Sequence, residues 1–175
     1  MYKRQDKWVY AGAFDPTVLV QSAGVDATVG TINGDATTTV DAVTEVDVDG
    51  IPTLVYETSS KADFDKGGVA LEGYTGNLFI QYQVDEVRRV SDLAKLSTDL
   101  SLNVRYVPYG ISSLTQQIAD ITISTDYDPM SENYDFPLRI GETWNTSYVS
   151  STAWSGSSDY ITPFPQPTSG ANHTN

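Results

Sequence analysis

The chain has 175 residues, no cysteine, one histidine and a formal net charge of −13. That length supports one domain with a real core and no disulfide staples. The missing cysteines exclude thiolate nucleophiles and cysteine zinc sites, and the lone His173 near the end all but excludes histidine-based catalysis. The acidic surface repels nucleic-acid phosphates and anionic membranes, so DNA and RNA are set aside as partners. No run approaches the roughly 18 apolar residues of a membrane helix.

In chain order, Asp15-Pro16 offers a helix cap followed by proline at the first helical position, and Gly24 offers a stop. A short helix is expected between them. From there Thr, Val, Ile and Tyr dominate and turn residues recur at short intervals, which predicts a mostly β, antiparallel protein. Asn33-Gly34 reads as a tight turn between strands Val25–Ile32 and Ala36–Val46. Asp49-Gly50 reads as a type I′ hairpin turn between Val40–Val46 and Ile51–Tyr56. Gly67-Gly68 and Thr75-Gly76-Asn77 read as further turns.

From Leu78 the alternation is clear. Leu78, Ile80, Tyr82 and Val84 fall on one face, with Gln81, Gln83 and Asp85 on the other. Leu100, Leu102, Val104 and Tyr106 repeat the pattern against Ser101, Asn103 and Arg105. Ser112–Gln117 is expected to be a second short helix before a strand Ile118–Thr125, with Ile121 and Ile123 inward. One wet face per sheet fits antiparallel pairing. Arg88-Arg89 is the basic doublet of the body; alternation sends its side chains to opposite faces, where one can pair with an acid across the sheet.

Residues 134–175 read either as the start of a second repeat or as last strands followed by a Ser, Thr and Pro-rich tail. Asp6-Lys7-Trp8 is echoed by Glu142-Thr143-Trp144, about one domain length later. The expected organisation is therefore an artefactual 1–5, a β domain over 6–133, and 134–175 beyond it. Met1-Tyr2-Lys3-Arg4-Gln5 resembles a translated sequencing adapter on a metagenomic fragment, so a signal or anchor upstream is expected to be lost.

The phrase Phe136-Pro137-Leu138-Arg139-Ile140-Gly141-Glu142-Thr143-Trp144 resembles text in uncharacterised secreted or lipid-anchored β-rich proteins of bacteria and marine archaea. Arg88-Arg89-Val90-Ser91-Asp92-Leu93-Ala94 is similar to strand text from the same group. Some of those proteins are similar to lipoprotein carriers. The resemblance implies a strongly curved antiparallel sheet or half-barrel with one or two short helices, and an extracytoplasmic location. It carries over no catalytic residues.

Several site chemistries stay open. An acyl chain or other apolar ligand could lie along Leu78, Ile80, Tyr82, Leu100, Leu102 and Val104, residues that also suit plain core. Asp126, Asp128, Glu132 and Asp135 gather around Pro129 and could bind calcium as a cofactor, or supply the two carboxylates of a glycosidase. A solvated acidic loop is the plainer reading. Asn145 and Asn172 head glycosylation acceptor triplets, meaningful in an exported protein. Tyr74, Tyr82, Tyr106 and Tyr109 are candidates for a shared exposed aromatic patch. The expected function is a non-enzymatic extracytoplasmic β module with a surface, adhesion or envelope role, with neighbouring repeats as partners. A carrier of an apolar ligand is the alternative, and a carbohydrate-active enzyme the second.

Overall fold

A computed structural model describes residues 6–22, 27–71, 74–110, 115–131, 147–157 and 173–174. The described chain forms one antiparallel sheet in which every strand pairs with its sequence neighbour. The strands are β1 (Lys7–Phe14), β2 (Ile32–Val48), β3 (Ile51–Leu71), β4 (Tyr74–Arg89), β5 (Lys95–Pro108), β6 (Gln116–Ser131), β7 (Val149–Ser157) and the short β8 (His173–Thr174). Among the described residues β1 pairs with β2 alone, so the sheet they form is open rather than closed into a barrel. A mostly β, antiparallel fold is what the alternation dictates. No helix among the described residues is long and apolar enough to cross a membrane.

Between β1 and β2 the chain makes one short helical segment, α1 (Thr17–Ser22). Asp15 caps it, accepting from the Thr17 amide at 2.9 Å. The Thr17 hydroxyl in turn accepts from the Val29 amide at 3.0 Å, tying α1 to the irregular run that follows. That run buries Ala27 and Val29. With Val20 and Ile32 they pack against Leu78, Ile80, Val104, Tyr106 and Ile118. This cluster is the main core, and it sits at one end of the strands. At about 3.3 Å per residue, the 21 residues of β3 run far beyond it. Val40, Val55, Tyr56 and Ala94 are buried separately, toward the other end.

The Asp49-Gly50 hairpin has the expected geometry: both residues have positive φ, 54° and 79°. Other turn expectations are corrected. Asn33-Gly34 lies inside β2, and β2 starts only at Ile32. A β-carbon at Gly34 would collide with the ring of Phe64, which stands edge-on to Phe14 with centroids 4.9 Å apart. Gly34 is therefore there for close approach rather than for a turn. Thr75-Gly76-Asn77 lies inside β4, with Leu71 opposite Tyr74 at the hairpin end. Gly67-Gly68 forms a bulge within β3, between Lys66 and Val69, with Gly68 at φ 75°. Its amide donates to the Tyr109 hydroxyl at 2.9 Å. Gln116 and Gln117 open β6 instead of closing a helix, and residues 111–114 lie outside the described residues. At Gly34, Gly67-Gly68 and Gly76 a residue that permits a reversal instead serves a long strand, as a bulge or by admitting a ring.

Candidate functional site

Register assigns the side chains to two unlike faces. One cross-sheet row runs Trp8, Thr38, Ser60, Val84, Leu100, Ile123 and Trp154. The next row toward the core carries Ala62, Tyr82, Leu102 and Ile121. All six residues expected to line an apolar site therefore share one face. Their burial divides them. Leu78, Ile80 and Val104 are fully buried in the core beside α1, whereas Leu100 and Leu102 are half-buried and Tyr82 is 37% exposed.

Beyond Leu100 and Val84 the same face turns polar. Glu86 stands opposite Thr58 and Thr98. Its carboxylate takes Arg88 at 2.7 Å and Lys95 at 2.6 Å. Burial pushes the Glu86 pKa up, but the bonds from Lys95 and Arg88 outweigh it and hold the carboxyl below its ordinary value. The acid that Arg88 takes is not across the sheet: Glu86 lies two residues back on the same strand, where alternation returns to the same face. Arg89 pairs with Asp92 in the turn that follows.

The opposite face carries acids, amides and hydroxyls. One row sets Ser59 opposite Asp85, and Asp85 opposite Asp99, which faces Ser124. The Ser59 hydroxyl stands between Asp41 and Asp85, 2.6 Å from the latter. One hydroxyl has one proton, so two carboxylates share a single donor. Two further rows, Lys61–Gln83–Ser101 and Asp63–Gln81–Asn103, enclose a shallow open cleft of about 310 Å³. Tyr82 lies between the two glutamines at its floor, and alternation sends its ring to the other face.

Asp126 and Asp128 are exposed residues of β6, opposite Ser151 and Val149. The acidic loop expected there begins as strand. Glu132, Asp135, Asn145 and Asn172 lie outside the described residues, as do Trp144 and residues 1–5. Among the described residues no group of three metal-ligating side chains comes together. The four tyrosines form no common patch. Tyr106 is buried, its hydroxyl donating to the carbonyls of Tyr74 at 2.7 Å and Val69 at 3.2 Å, while Tyr74 and Tyr109 are exposed at the strand ends. Sequence reasoning missed the polar cleft. Gln81, Gln83, Ser101 and Asn103 were visible as the wet side of two strands, but only pairing register puts Lys61 and Asp63 beside them.

No protein-family model, no curated protein and no solved structure matches this chain.

Proposed function

We propose that the chain is a non-enzymatic β module of an extracytoplasmic surface, in an adhesive or envelope-structural role. The observation that carries the reading is the broad polar face of β2–β6, where acids, amides and hydroxyls line up in register on one side of an open sheet. Such a face offers many weak directional contacts over an extended area, which suits attachment more than the enclosure of one small substrate. The net charge of −13 keeps the surface soluble and repels anionic partners. Bulges at Val40/Ala42, Lys66/Val69, Val87/Arg88 and Val104/Arg105 support reading the sheet as strongly curved, a half-barrel with α1 over one end. The test is retention under flow of beads coated with the full chain, on surfaces bearing polysaccharide, protein or lipid. Retention on at least one surface is expected. Release from all of them at the rate of uncoated beads removes the reading.

A second reading is favoured by the half-exposed apolar residues Tyr82, Leu100 and Leu102, continuous with the core beside α1. In it the chain carries an acyl chain or other apolar ligand along that face. An apolar adduct in native mass spectra and displacement of a fluorescent fatty acid are expected; empty protein and no fluorescence change reject it.

A further inference from the structure

We infer that the cleft between the rows Lys61–Gln83–Ser101 and Asp63–Gln81–Asn103 is a binding site for a neutral saccharide. The inference rests on the adhesive reading and names the ligand class of its polar face.

The chemistry of the lining carries it. Gln81 donates its amide to Asp63 at 2.9 Å and Gln83 donates to Asp85 at 2.7 Å. Those bonds fix both glutamine side chains and leave their amide oxygens as oriented acceptors. The side chains of Lys61, Ser101 and Asn103 make no hydrogen bond or ion pair with the described residues and face solvent wholly or in part. The cleft thus presents an ammonium, an amide and a hydroxyl as donors, interleaved with carbonyl and carboxylate acceptors. A sugar hydroxyl gives one hydrogen bond and takes others, so vicinal hydroxyls match this alternation.

Charge selects among saccharides. Lys61 and Asp63 cancel within the cleft, while the chain as a whole carries −13. An anionic polysaccharide meets no net positive charge there and a repulsive field around it. A neutral one needs no counter-charge and is not repelled. With the Tyr82 ring on the other face the site offers polar contacts alone, so each unit binds weakly and multiple copies on a surface supply the strength.

The test maps amide chemical shifts of the full chain during titration with cellohexaose, mannohexaose and laminarihexaose, with oligogalacturonate as the anionic comparison. At least one neutral hexasaccharide should shift the resonances of Lys61, Gln81, Gln83 and Asn103, and oligogalacturonate should not. Lys61→Ala and Asn103→Ala should each weaken binding about fivefold, the usual loss for one hydrogen bond. Ile51→Thr, at the exposed hairpin, should leave it unchanged. Shifts confined to the Leu100 face, unaltered affinity in both cleft variants, or no shift with any of the neutral sugars overturns the inference. Beads that adhere without competition by the oligosaccharides leave the adhesive reading standing and this site refuted. Oligosaccharide binding at the cleft without bead retention does the reverse.

Discussion

Tyr106 lies against Gly76 so closely that a β-carbon at position 76 would come within 2.8 Å of the ring carbon Cζ. It would also come within 2.8 Å of Pro108 Cα and closer still to the Val107 carbonyl oxygen. Two of those neighbours are backbone of the adjoining strand and cannot turn aside. Gly76→Ala should therefore cost about 1–3 kcal/mol, the range of overpacking in a well-filled core. A fall in the urea midpoint at unchanged slope checks it; an unchanged midpoint refutes the close approach.

Tyr106 also makes the fold sensitive to alkali. Burial first, and Tyr109 second, raise its pKa above the ordinary tyrosine value, and burial raises that of Tyr82 as well. The unfolded chain then ionises before the folded one. Stability from these groups is level below about pH 10 and falls as pH rises past it. Tyr106→Phe removes the hydrogen bonds to Tyr74 and Val69 and should cost about 1–2 kcal/mol at neutral pH. It should also flatten the decline above pH 10, seen in melting temperature against pH.

Glu86 and Asp92 set the acid limit. Burial pushes both carboxyls up, but hydrogen bonds and ion pairs with Lys95 and Arg88, and with Arg89, leave both below their ordinary values. A depressed carboxyl contributes stability that is present above its unfolded pKa and lost as pH falls through the folded one. Melting temperature should therefore drop from about pH 4 downward. Glu86→Gln leaves Arg88 and Lys95 without their shared carboxylate. It should cost about 1–2 kcal/mol at pH 7, less than a fully buried pair because both cationic side chains are about a quarter exposed. The difference between variant and parent should shrink at pH 3.

The acidic face should respond to salt. Asp41 and Asp85 share the Ser59 hydroxyl, and Asp99 stands directly opposite Asp85. Like charges facing each other across strands are destabilising, and a chain at −13 repels itself throughout. Raising NaCl from 10 mM to 500 mM should raise the melting temperature, because the Debye length shrinks from about 30 Å to a few Å. Asp85→Asn should reduce that gain. A melting temperature indifferent to salt refutes the repulsion.

Antiparallel β structure, the course of the clearest strands and the wet side of each are legible in the order of residues alone. Leu78–Val84 and Leu100–Tyr106 show this directly, because a strand's two-residue period is written in the order of its own side chains. The Asp49-Gly50 hairpin is legible there too, because few residues accept positive φ in succession. That Gly34, Gly68 and Gly76 serve strands rather than turns depends on packing: a glycine's freedom permits a reversal, a bulge or the approach of a ring, and the neighbour that chooses lies on another strand. The apolar six were likewise legible as one face, but their division into sealed core and half-open surface depends on where α1 and Ala27–Ile32 come to rest. The polar cleft depends on register across three strands, and pairing distant segments is a choice made by the whole sheet, not by any one stretch of chain.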